Sequence, residues 1–106
     1  MINIGLYYTV KLGSEKEFEN RFDETVLVIK NSGFGCVDAR LYKDVKKQNE
    51  YLLYTEWKNI DGFINFIKSD AYKKTVEAGK SIIEGMPRHR IFTEFQNQST
   101  NNSTRN

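Results

Sequence analysis

The chain is poor in the residues that make crosslinks, chain breaks and metal centres: its 106 residues include one cysteine, one proline, one histidine and one tryptophan. With Cys36 alone no intramolecular disulfide can form, and a reducing, cytoplasmic location is expected. HExxH, CxxC, GxGxxG and the P-loop are all missing, so neither a metal nor a nucleotide cofactor is expected. No apolar run approaches the roughly 18–20 residues that a membrane helix needs. The N-terminal MINIGLYYTV has no positively charged start and no cleavage site, so a signal peptide is not expected. Net charge is only +2, with acids and bases interspersed and no basic block, which argues against nucleic acid or an acidic membrane as partner.

What the chain has is aromatic side chains, 13 % of residues within a modest apolar content of 39 %. The length suits one domain. Tyrosines are abundant, and they suit half-wet surfaces such as cavities, sheet faces and interfaces.

The stretch 51–72, YLLYTEWKNIDGFINFIKSDAY, organises the rest. It reads as a strand ending on Trp57, a short turn, and a helix whose Ile60, Phe63, Ile64 and Ile67 recur at i, i+3, i+4, i+7. Ser69 caps a further helix with Tyr72, Val76, Gly79 and Ile83 as its stripe, ended by Gly85 and Pro87. Upstream, residues 2–10 alternate as a strand, with Ile4, Leu6 and Tyr8 on one face and Asn3 and Tyr7 on the other. Ser14 and Glu17 have capping-box spacing before a helix that buries Phe18, Phe22, Val26 and Ile29, closed at Gly33. Residues 36–45 form a second strand, with Val37, Ala39 and Leu41 opposite Cys36, Asp38, Arg40 and Tyr42. Residues 50–57 form the third strand and Arg88 to Phe95 the fourth. Residues 96–106 are almost wholly Gln, Asn, Ser and Thr, and are expected to be a disordered polar tail after a 1–95 domain. The N-x-S/T triplets there accept glycans only on a secretory route.

The order βαββαβ is the α+β, split ferredoxin-like arrangement: one antiparallel sheet with its helices on one face. The other face would carry Asn3, Tyr7, Asp38, Arg40 and Tyr42. It is too aromatic for water and too polar for a monomer core, which argues for a homodimer with Asp38, Arg40 and Tyr42 at the interface. The candidates for chemistry are His89, Tyr72 and Tyr54, with Tyr7, Phe66 and Trp57 as pocket walls.

With Tyr54-Thr55-Glu56-Trp57, Lys58-Asn59, Phe63, Ser69 and Tyr72 in this order, the chain resembles the antibiotic biosynthesis monooxygenase superfamily, the dimeric α+β barrels. The resemblance runs from Met1 to about Phe95. It implies a homodimer with facing sheets and a pocket between each sheet and its helices. It also implies a cofactor-independent monooxygenase-like protein that oxidises an aromatic or polycyclic small molecule with O₂. The alternative is a non-catalytic dimeric binding or stress-response protein of the same fold. The haem-degrading branch uses a strand Asn, a helical Trp and a helical His. Aligned on Trp57, this chain has Leu6, Phe66 and Val76 there, so haem degradation by that constellation is not expected.

Overall fold

The computed structural model describes residues 1–95. The reading of 96–106 as a polar tail lies outside the described residues. The elements run β1 (Ile2–Val10), α1 (Glu15–Lys30), β2 (Cys36–Lys43), β3 (Glu50–Trp57), α2 (Ile60–Ile67), α3 (Asp70–Gly79) and β4 (Ile83–Thr93). The four strands form one antiparallel sheet in the order β2-β3-β1-β4. This is the expected ferredoxin-like α+β architecture, with the helices on one face.

β3 shows how the sequence makes the two faces. Successive strand side chains point to opposite sides. Tyr51, Leu53, Thr55 and Trp57 are accordingly buried under the helices, while Leu52, Tyr54 and Glu56 are only half covered. β1 does the same with Ile4, Leu6 and Val10. α1 answers with Phe18, Phe22 and Ile29, and α2 with Phe63 and Phe66. Fully burying a large apolar side chain is worth about 1.5–3 kcal/mol. Trp57, 1 % exposed, is the largest such side chain, with Phe63 at 5.6 Å and Phe66 at 5.5 Å between ring centroids. Asn59 caps α2 by accepting from the Gly62 N–H at 3.0 Å. Gly62 is obligatory for a second reason: a Cβ there would run into the carbonyl oxygen of Phe34.

Four local expectations are corrected. Ser14 occupies the N-cap of α1 but makes no side-chain cap bond. The Gly13 N–H is taken instead by Glu15 Oε1 at 2.8 Å, and Glu17 turns to Arg21. β2 stops at Lys43, short of Val45. A bulge between Cys36 and Asp38 sets Cys36 against Trp57 on the helix side and leaves Val37 exposed, the reverse of strict alternation. β4 begins at Ile83, not Arg88, and Gly85 and Pro87 lie inside it. Tyr7 pairs with Arg88 and Thr9 with Glu84, so residues 85–87 stand against Tyr8 alone. A bulge on an edge strand has no ladder bond for proline to lose, and Gly85 takes φ +68° there.

Thr55 is the one buried polar side chain among the described residues. Its hydroxyl donates to the Ile4 carbonyl at 2.9 Å and accepts from Trp57 Nε1 at 2.7 Å. Thr55→Val preserves shape but leaves the buried Trp57 indole N–H unpaired and removes one bond to the Ile4 carbonyl, and should cost about 2–4 kcal/mol. Trp57→Ala should cost about 3–5 kcal/mol through the cavity it opens. Chemical denaturation checks both, and a loss under about 1 kcal/mol for either would contradict this account of the core.

Candidate functional site

A small cleft lies between the helix side of β1 and β3 and the helices α2 and α3. Tyr8, Trp57, Phe63, Phe66 and Tyr72 are its main walls, and its free volume is about 20 Å³. That is room for about one water. The Phe66 and Tyr72 rings meet edge to face at 5.5 Å. On the α1 side Tyr8 packs against the neighbouring pair Phe18 and Phe22, at 5.6 and 5.2 Å between ring centroids.

The threonines at the cleft spend their hydroxyls on the backbone. Thr25 donates to the Arg21 carbonyl at 3.1 Å and Thr75 to the Ala71 carbonyl at 3.0 Å. Tyr8 and Tyr72 make no hydrogen bond with a described residue that bears on their ionisation. Burial pushes the Tyr8 hydroxyl well above its ordinary value of 10, and the neighbouring Tyr72 adds to the shift. Burial raises Tyr72 too. Both therefore stay neutral through the physiological range: they are O–H donors, not bases. Among the described residues no Asp, Glu, His, Lys or Arg lines the cleft.

The sheet's far side holds a different set. Asn3 Nδ2 donates to the Tyr54 hydroxyl at 2.7 Å, and that hydroxyl donates to Glu56 Oε2 at 2.7 Å. The bond to Glu56 is the main reason the Tyr54 hydroxyl is harder to ionise than usual. Tyr42 sits edge to face with Tyr54 at 6.5 Å. Arg40 Nε pairs with Asp38 Oδ2 at 2.7 Å within its own strand.

The structure thus brings Tyr72, Phe66 and Trp57 together in the cleft. It places Tyr54, Tyr7, Asp38, Arg40 and Tyr42 on the opposite face. His89 is exposed in β4, paired with Leu6 and 6.0 Å from the Phe63 ring, outside the cleft lining. It borders instead a shallow depression of about 490 Å³ with Tyr7, Pro87, Arg88 and Arg90. Desolvation raises the Cys36 thiol, and its Sγ lies 3.3 Å from the Asp38 carbonyl, so it is no activated nucleophile. Sequence reasoning missed Tyr8 as a site residue. The signal available was a hydroxyl at a core position of β1, between Leu6 and Val10. Among the described residues no three potential metal ligands cluster, and no helix is long and apolar enough to cross a membrane.

An antiparallel sheet in the order β2-β3-β1-β4, covered on one face by helices with an aromatic cleft beneath them, defines a ferredoxin-like α+β domain. The antibiotic biosynthesis monooxygenase family matches residues 1–78, and the chain belongs to it. Among solved structures, a protein from Bordetella bronchiseptica described as an antibiotic biosynthesis monooxygenase shares the fold with a TM-score of 0.81. It is 17 % identical, over 90 % of this chain and 97 % of that one. SnoaB, a cofactor-independent oxygenase from Streptomyces nogalater, has a TM-score of 0.78 at 23 % identity, over 92 % of this chain and 95 % of its own. Curated relatives include proteins from Haloquadratum walsbyi and Natronomonas pharaonis, each named "Putative heme-binding protein". They are 30 % and 28 % identical over 86 residues, 81 % of this chain. The chain spans only 16 % and 14 % of their lengths.

The buried tyrosine gives an alkaline signature. Above pH 10 an unfolded tyrosine releases its proton while folded Tyr8 keeps it. The unfolded state then binds fewer protons, so stability falls as pH rises. Tyr8→Phe should remove about 1.4 kcal/mol per pH unit from that decline. Denaturation curves at stepped alkaline pH read the slope, and an unchanged slope would place Tyr8 in water.

Proposed function

We propose that the chain binds a flat, electron-rich aromatic molecule with a phenolic oxygen in the cleft between β1/β3 and α2/α3, and promotes its oxidation by O₂. The observation that carries this reading is the pair of neutral hydroxyls, Tyr8 and Tyr72, in an aromatic cleft without a charged side chain. Two O–H donors in a dry site favour a substrate oxyanion over the neutral phenol. The anion is electron-rich enough to reduce O₂ directly. The substrate supplies all four electrons: a ring CH₂ loses both hydrogens and becomes the carbonyl of a quinone with one oxygen atom, and the other oxygen leaves as water with those two hydrogens, so no external reductant is required. His89, whose ring lies 6.0 Å from that of Phe63, is the residue we assign to take up the released proton.

The relatives named for heme binding supply a second flat ligand to set against the first. α2 and α3 contain no histidine. Phe66 is buried in the core, and Val76 is 37 % exposed on α3. The cleft therefore offers haem no imidazole. Titration with a hydroxyanthrone, followed by fluorescence and O₂ uptake, tests the proposal. Saturable binding should weaken about tenfold or more in Tyr8→Phe and in Tyr72→Phe, the loss expected for a hydrogen bond to a charged oxygen. Binding indifferent to both changes would overturn it. So would a haemin Soret shift, with loss of the band under ascorbate, that His89→Ala abolishes.

The working form in this reading is a cytoplasmic homodimer joined through the helix-free sheet face. The register puts Arg88, Arg90 and Phe92 of β4 on that face beside Tyr7, Gly5 and Asn3. Neither arginine has a carboxylate partner among the described ion pairs, and Glu56 has no cation. A second copy related by a two-fold axis complements these charges and covers Tyr42 and Phe92, which are 47 % and 43 % exposed. Sedimentation at micromolar concentration should show a dimer that Arg90→Glu weakens and Arg90→Glu with Glu56→Arg restores. A wild-type monomer would refute it.

A further inference from the structure

The cleft is too small for any organic ligand as it stands. A single aromatic ring occupies a cavity on the order of 150 Å³, against about 20 Å³ here. One wall must move. The floor cannot, because Ile4, Leu6, Leu53, Thr55 and Trp57 of the central strands are at most 5 % exposed. α1 and α2 each bury phenylalanines in the core. α3 buries none of its residues. It is the wall that can swing at least cost in packing.

α3 is held at its two ends. At the start, Ser69 Oγ accepts from the Tyr72 N–H at 3.2 Å, and the Tyr72 ring leans on Phe66. These contacts sit beside the α2–α3 joint and suit a hinge. At the far end the chain runs into Ile82, which lies in the core and whose carbonyl accepts from the Lys11 N–H at 2.8 Å, so the backbone is anchored there as well. Just before that anchor a side chain from another helix holds the last turn of α3. Arg21 Nη1, on α1, donates to the carbonyl oxygen of Ala78 in the last turn of α3. A helix leaves its last carbonyls without internal donors, and a cation there also meets the negative end of its dipole. The other edge of the guanidinium is held by Glu17 Oε2 at 2.5 Å. Arg21 is 43 % exposed and Glu17 50 %, so water competes for both bonds and the attachment is reversible.

We propose that Arg21 is the latch of a lid. It holds α3 down over the Tyr8–Tyr72 cleft, with Glu17 aiming it, and its release from the Ala78 carbonyl lets the body of α3 tilt outward between the Lys68–Asp70 joint and the Ile82 anchor and admit the ligand. The inference rests on the cleft being the binding site, but the motion of α3 can be read without any ligand.

Hydrogen exchange on the ligand-free protein provides that reading. Arg21→Met keeps the apolar stem and removes the donors. Amides of Lys73 to Lys80 should exchange about tenfold faster, the loss expected for one charge-assisted hydrogen bond, with β1, β3 and α1 unchanged. Arg21→Lys should recover part of the protection, and Glu17→Gln should give a smaller rise in the same amides. In stopped-flow mixing with a hydroxyanthrone, the association rate should rise with the exchange rate across these variants. Unchanged α3 exchange in Arg21→Met and Glu17→Gln would overturn the latch, as would a uniform rise that includes β3. Equal association rates in wild type and Arg21→Met would also overturn it. If the hydroxyanthrone binds none of the proteins, the reading of the cleft fails, and the exchange data alone decide whether Arg21 secures α3.

Discussion

The relay from Trp57 through Thr55 to the Ile4 carbonyl is the constraint on which the other features depend. It is a polar chain set into an otherwise apolar layer, and every donor in it has an acceptor. A buried hydroxyl or indole N–H left without a partner is expensive, so few alternative packings satisfy it. Thr55 pairs with Ile4 across the two central strands. A slip of one residue would carry Thr55 and Trp57 to the other face and strand both polar groups. The relay therefore pins the β1–β3 register, beyond what apolar alternation alone specifies.

Once that register is fixed, the division of tyrosines follows. Tyr8 lies four residues after Ile4 in β1, and so shares its face and enters the helix side. Tyr54 precedes Thr55 in β3 and must face away, where it meets Asn3 and Glu56. The two environments then set different chemistry for the same phenol group. On the far face the Tyr54 proton is committed to a carboxylate, and partial exposure lets charge sit beside it. Asp38 is partly desolvated, which works upward on its carboxyl, yet the Ala39 N–H, Arg40 and Lys30 together hold it below the usual range. At the cleft on the helix side no described charged side chain is part of the lining, and burial keeps Tyr8 and Tyr72 as neutral donors.

Much of the fold was legible because two periodicities switch cleanly. The period-2 alternation of 50–57 gives way to the 3.6 period of 60–67, and both elements fall where the pattern puts them. Where it misled, a local signal had two meanings. Gly85 and Pro87 look like a helix terminator, but on an edge strand the same residues make a bulge. Ser14 and Glu17 have capping-box spacing, but Arg21 one turn on competes for Glu17. Strict alternation in β2 fails at Val37, because a bulge leaves no compositional mark. The site was less legible than the fold. Tyr72 followed from helix spacing, but Tyr8 reads as one more core residue in an apolar strand. Its hydroxyl matters only because the cleft lies over it, and that is a fact about α2 and α3. Tyr8 and Tyr54 are indistinguishable as residue types; only the β1–β3 register puts them on opposite faces.

The choice of tyrosine as the cleft's polar group has a consequence for what it can hold. A lysine or arginine in the same place would attract an anion more strongly, but it would carry a large desolvation cost in the empty, nearly dry cleft. Two neutral hydroxyls cost less to bury and still give directed hydrogen bonds to a single oxygen. In the proposed reading their help would go to the oxyanion, since a neutral phenol gains less from the same donors. A closed cleft also keeps the aromatic walls of Phe63, Phe66 and Trp57 out of water between visits. In the proposed reading closure and selectivity would have one physical origin, and the helix that would have to open, α3, is the one that buries none of its residues in the core.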